Sequence, residues 1–240
     1  MMEVRSSSAP AANPLDERNF KVLKIANSIA NNTNYSFSSV TTPTANTRVD
    51  LWILSQKSGG SGGATAIGGA GNLGLTWTKI GSTQTSGDFA LVHYWGISAT
   101  PSGTSLQIQH AVVQDSCDII VVQTSGVNTS TPAGVNAQGT AISTTLTLIP
   151  SGGTHRNLFL AGWGVNVNMG SSAPWPGFVP GAGSSTGINI PGAMQDGNND
   201  TPSNFGLVVT AHQYGDETSL SFTKSTAGRV LGSASEVVAA

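Results

Sequence analysis

Charge is what this chain has least of. Asp, Glu, Lys and Arg make up 9% of its 240 residues, against roughly a quarter in an ordinary soluble domain. The balance is 10 basic against 12 acidic residues, a net charge of −2. Such a chain has no basic footprint for a phosphate backbone, so nucleic acid is not an expected partner. It has no basic amphipathic helix and no apolar run near the roughly 20 residues of a spanning helix, so a membrane is not expected either. One cysteine, Cys117, excludes an intrachain disulfide framework. Its place at the head of an apolar run predicts a buried thiol. The N-terminal stretch MMEVRSSSAPAANPLDERNF lacks the apolar h-region of a secretory signal. The expectation is a protein made in a host cytoplasm without its own export signal.

What the chain does have is glycine, 30 residues of it, with Ser, Thr and Asn between short apolar runs. The stretch Leu75–Val127 sets the pattern. Leu75–Ile80 alternates, Phe89–Ile97 is dense and carries Tyr94 and Trp95, Leu106–His110 alternates with glutamines, and Ile119–Val122 is a continuous apolar run. Period-two alternation and β-branched runs cut by turn residues predict antiparallel strands. Outside this stretch, Phe20–Ile25, Tyr35–Val40, Ala141–Ile149, Leu158–Val167, Phe205–His212, Leu220–Phe222 and Arg229–Val238 read as further strands. In Ala141–Ile149 the buried candidates are Ile142, Leu146 and Leu148. Phe205–His212 and Leu220–Phe222 read as a hairpin around Gly215-Asp216. In Arg48–Leu54, Val49, Leu51 and Ile53 share one face while Asp50, Trp52 and Leu54 share the other. A strand partly apolar on both faces belongs at the centre of the sandwich.

The order of landmarks is familiar. Trp77 in LTWTKI, Tyr94 and Trp95 in ALVHYWGI, the strand TSLQIQ, and the Ser125-Gly126-Val127 run ending at Pro132 resemble the jelly-roll-type β-sandwich modules of bacteriophage virion proteins and some bacterial surface proteins. The resemblance covers about residues 73–132, with weaker echoes towards the C-terminus. It implies an all-β, antiparallel jelly-roll-like sandwich of ten to eleven strands and a virion setting. Its landmarks are packing and turn residues, so it implies no catalytic ones.

Domain organisation follows from composition. Residues 1–19 form an extended arm with little to bury. Residues 20–240 form one sandwich with long loops at 56–74 and 169–203. The first loop contains Gly69, Gly71 and Gly74 in a G-x-G-x-x-G spacing, but strand-like Leu75–Thr78 follows where a phosphate site needs a helix. The second holds five prolines, including Pro174 and Pro176, with Trp175 and Phe178 among them. At this length a loop is usually functional or ordered by a partner.

Candidate chemistry is sparse. His93, His110, His155 and His212 lie on or beside separate strands, whereas a Ser–His–Asp site needs them gathered with a nucleophile on a strained turn. Paired Asp/Glu side chains for glycoside hydrolysis would have to be brought together by the fold. Asp196, Asn198 and Asp200 open like a calcium loop, but Thr201 and Leu207 stand where Gly and Glu are required. No enzyme, cofactor or metal is expected. The expectation is a structural virion protein, foremost a phage capsid decoration (cement) protein. Its partners would be capsid or other virion subunits and further copies of itself, a trimer or another cyclic oligomer. The contact residues expected are Pro10, Pro14 and Leu15 of the arm and Trp175 and Phe178 of the second loop. The alternative is a carbohydrate- or receptor-binding adhesin module of a phage tail or fibre.

Overall fold

A computed structural model describes residues 15, 19–152, 158–166, 179–180, 187–195, 205–213 and 219–240. The described residues form fourteen strands and no α-helix: β1 (Phe20–Ser28), β2 (Asn32–Phe37), β3 (Arg48–Gln56), β4 (Ala64–Asn72), β5 (Thr76–Ser86), β6 (Phe89–Ile97), β7 (Leu106–Gln114), β8 (Ser116–Thr124), β9 (Ala133–Leu148), β10 (Leu158–Asn166), β11 (Val179–Pro180), β12 (Gly187–Gln195), β13 (Phe205–Gln213) and β14 (Leu220–Val237). They make three antiparallel sheets. A front sheet runs β2-β7-β4, a middle sheet β1-β8-β3-β6-β5, and a back sheet β11-β14-β10-β13-β12 with β9 paired to β14.

The centre of the middle sheet is buried on both sides, as the two partly apolar faces of Arg48–Leu54 suggest. Every residue of β3 and β8 is buried. Val49, Leu51 and Ile53 pack with Tyr35, Phe37, Leu106 and Ile108 of the front sheet. Trp52 and Leu54 pack with Leu158, Leu160, Leu207 and Val209 of the back sheet. The imperfect alternation of Phe20–Ile25 also finds its cause. A register shift between Val22 and Lys24 turns Leu23 to the front core while Phe20, Val22 and Ile25 pack against the back one.

The back sheet comes close because β10 is shaved there. Its residues facing the middle sheet run Leu158, Leu160, Gly162, Gly164. A Cβ on Gly162 would collide with the Trp52 indole, and one on Gly164 would meet Leu54 at 2.6 Å. The two glycines around Trp163 thus admit side chains of the facing sheet. On the other face of β10, Trp163 stacks on Phe222 with centroids 5.5 Å apart and donates from its indole N–H to Thr210 Oγ1 at 2.9 Å. That face has its own core of Phe159, Trp163, Val165, Leu146, Leu148 and Phe222. The long β9–β14 ribbon covers it. Its register breaks between Thr223 and Gly228, and Leu146 reaches the Gly139 and Gly232 positions.

Several elements depart from the sequence reading. Ala64–Asn72, read as part of a glycine-rich loop, is a strand of the front sheet. Gly71 lies where a Cβ would press on the Ser105 backbone at 2.8 Å, and Gly74 takes φ +65 in the turn that follows. Val179–Pro180 and Gly187–Gln195, read as loop, pair with β14 and β13. The polar turn expected over residues 128–138 enters β9 from Ala133. Leu146 and Leu148 are buried as expected, but Ile142 is 74% exposed, because the ribbon's bend puts it on the outer side. β13 and β14 do not form a hairpin with each other: β10 lies between them.

Candidate functional site

The residues that bear chemistry are inside, between the middle and back sheets. Arg48 and Asp50 sit on β3 facing the back sheet and are fully buried. A buried charge is tolerated only when paired and hydrogen-bonded. Here Arg48 grips Asp50 bidentately, Nε to Oδ2 at 2.8 Å and Nη2 to Oδ1 at 2.6 Å. Its remaining donors go to Pro132 O at 2.8 Å, Glu236 O at 2.6 Å and Ser235 Oγ at 3.0 Å. One guanidinium therefore ties β3, the Pro132 turn and the end of β14. The Trp95 ring lies 5.8 Å from its centre.

Asp50 faces a second partner. His93 on β6 approaches Asp50 Oδ1 through Nε2 at 2.9 Å and stacks on Trp52 at 4.3 Å. The carboxylate needs a donor, so Nε2 carries the proton and Nδ1 is left as an acceptor. Nδ1 faces Ser233 Oγ of β14 at 3.4 Å. Ser233 Oγ also lies 3.1 Å from Gln138 Nε2 of β9, and the Ser233 carbonyl accepts from the Trp52 indole at 3.2 Å. A carboxylate, an imidazole and a hydroxyl thus stand in a row. Each of Asp50, His93 and Ser233 is fully buried, so the row faces the protein's own interior.

Electrostatics follow the geometry. Burial works against the Asp50 carboxylate, but Arg48 and His93 together hold it below the usual carboxylate range. Burial pushes His93 down and outweighs the pull of Asp50, so its imidazole is neutral at neutral pH. Burial pushes the Cys117 thiol well above its ordinary value, with Asp118 adding to the shift, which makes it an unreactive packing residue at the start of β8, as expected.

A second polar cluster lies between the middle and front sheets. Ser55 Oγ and His110 Nε2 are 2.8 Å apart, Tyr35 meets the His110 ring edge-on at 5.5 Å, and the Tyr35 hydroxyl lies 2.7 Å from Gln114 O. Burial lowers His110 to about 4. Between about pH 6.5 and pH 4 the unfolded chain therefore binds a proton that the folded chain refuses. Stability present above that window is lost as pH falls through it. The unfolding midpoint is expected to drop steadily on acidification across this range. His110→Gln should flatten the slope, and an unchanged slope in that variant would contradict the assignment.

Of the five side chains expected to contact a partner, Pro10, Pro14, Trp175 and Phe178 lie outside the described residues. Leu15 is described. It is 2% exposed and packs in the chain's own core near Gly126. It holds the arm to the body of the sandwich rather than facing outward. Asn19 continues that attachment through Ser125, whose N–H donates to Asn19 O at 2.9 Å. The calcium-like Asp196–Thr201 segment and His155 are likewise outside the described residues, and the side chain of His212 on β13 is not among those described.

The structure gathers His93 with Asp50 and Ser233, an assembly that the separate strands did not announce. One signal was present. Arg48 and Asp50 flank the apolar alternation of a strand expected to be buried on both faces, and charges there must find partners. Searches against protein-family models, curated proteins and solved structures return no match.

Proposed function

We propose that this chain is a structural virion protein, a decoration (cement) subunit of a bacteriophage capsid built on a jelly-roll-type sandwich. The observation that carries the reading is the division of its polar groups. The strongest ionic cluster is turned inward, where it knits the layers and meets no outside molecule. The strand positions facing solvent carry neutral hydroxyls: Thr76, Thr78, Thr140, Thr144, Thr145 and Thr147 are exposed, and Thr145–Thr223 and Thr147–Ser221 pair across β9 and β14 at 3.2 and 3.0 Å. Such a surface suits broad hydrogen-bonded contact with neighbours and is poorly suited to a free, concentrated monomer, which charge keeps apart. Ile142 and Ile149, 74% and 72% exposed at β9, add apolar footholds. The resemblance around Trp77, Tyr94 and Trp95 points to the same setting.

Purified particles should carry this chain in a fixed ratio to the major capsid protein, in density on the outer lattice. Deleting residues 1–14, which spares Leu15, should leave a folded sandwich that binds particles more weakly. Recovery of the chain only in the particle-free fraction would overturn the reading. A position at a tail tip with glycan binding would replace it with the adhesin alternative.

A further inference from the structure

We propose that Ser233 and Gln138 join in an intramolecular ester, a covalent cross-link that the chain forms by itself between β14 and β9. The two residues are direct partners in the antiparallel register, so their side chains leave the same face side by side. The hydroxyl is set up as a nucleophile. Ser233 Oγ faces His93 Nδ1 at 3.4 Å, and Asp50 fixes the imidazole from behind at 2.9 Å. Arg48 in turn fixes Asp50. A hydroxyl, a base and an orienting carboxylate in line are the parts of an activated nucleophile.

The electrophile is held as carefully. The Gln138 carboxamide crosses from the back sheet to β5, over Gly81, where any Cβ would collide with it. Its oxygen accepts the Ser82 N–H at 2.8 Å, with Ser82 Oγ and Gln84 Nε2 each at 3.4 Å. Donors so placed stabilise the charge that develops on a carbonyl oxygen under attack. Its nitrogen donates to Ile80 O at 3.0 Å, to Ser82 O at 2.9 Å and to Ser233 Oγ itself at 3.1 Å, which holds the carboxamide against the hydroxyl.

The step balances without any co-reactant. Ser233 Oγ attacks Gln138 Cδ while His93 Nδ1 takes the hydroxyl proton. The negative oxygen rests on the Ser82 N–H. Collapse breaks Cδ–Nε2, His93 returns its proton to the leaving nitrogen, and ammonia departs. No atom is oxidised or reduced. Ser233 is sealed from water, which protects the ester from hydrolysis, whereas Gln138 is half-buried and Ser82 is exposed, which gives ammonia a way out. The inference stands on this geometry alone and is independent of the virion reading.

Mass spectrometry of the intact, folded protein tests it. The expected mass is that of the chain less one ammonia. Digestion should yield one linked species containing Gln138 and Ser233, which hydroxylamine separates. Ser233→Ala and Gln138→Ala should restore the full mass, and His93→Gln should slow the loss of ammonia. The wild-type measurement needs no variant to fold. Recovery of free Gln138 and free Ser233 peptides from folded wild type would overturn the proposal. So would loss of ammonia mapped to an asparagine, or labelling of Ser233 by an external phosphonate ester.

Discussion

Arg48→Met is expected to lower the free energy of unfolding by about 3–5 kcal/mol, the usual cost of stripping one partner from a buried ion pair. Asp50 would remain fully buried, with His93 left as its side-chain partner. The carbonyls of Pro132 and Glu236 would lose their guanidinium donors at the same time. Methionine fills much of the vacated volume, so little of the loss comes from a cavity. Denaturant titration of Arg48→Met, Asp50→Leu and the double variant measures the coupling. The double variant should cost clearly less than the sum of the singles, because it leaves no lone charge. Strictly additive losses would mean that the pair is not the tie between β3 and β14 described here.

The second large effect is expected where the sheets meet most closely. Gly162→Ala places a methyl group into the Trp52 indole. Trp52 cannot move aside cheaply: it is fully buried, stacked on His93 at 4.3 Å and hydrogen-bonded to Ser233 O at 3.2 Å. Overpacking of this kind costs about 1–3 kcal/mol or more. Trp52→Ala, which empties the same space, is expected to cost about 3–5 kcal/mol. The informative comparison is Gly162→Ala in a Trp52→Leu background, where the added methyl has room and its cost should largely vanish. Thermal unfolding of the wild type, Gly162→Ala, Trp52→Leu and the double variant decides it. An equal penalty for Gly162→Ala with and without the tryptophan would contradict the packing.

Much of the centre of this fold is legible in the sequence. Arg48–Leu54 shows its two faces by simple alternation, and both find the cores that the alternation requires. Phe89–Ile97 and Ile119–Val122 are apolar enough to be read as strands, and they flank β3 on either side. The periphery is less legible, for physical reasons. Ala64–Asn72 looks like a loop because three of its nine residues are glycine and Ile67 is its one large apolar residue, yet Gly71 is small to clear the Ser105 backbone. The start of β9, residues 133–138, holds Val135 and two alanines among Gly, Asn and Gln, with few residues to bury, so local composition resembles a turn. Its strand character comes from pairing with β14, far away in sequence. The same distance hides the site. Asp50, His93, Gln138 and Ser233 come from four strands, and only sheet stacking brings them together. Arg48 and Asp50 alone give a local sign, as charges in a strand that has no solvent-facing side.

The central claim is that the Asp50–His93–Ser233 row is a sealed part of the fold, aimed at the protein's own Gln138. Imidazole nitrogen–proton NMR of the folded protein tests this most directly, with His93 assigned by comparison with His93→Gln. The account predicts a neutral ring with its proton on Nε2, protected from exchange with water, and no titration down to the pH at which the protein unfolds. A His93 that titrates near pH 6.5, as an ordinary exposed histidine does, and whose Nε2 proton exchanges freely, would show that water reaches the row and would contradict the account.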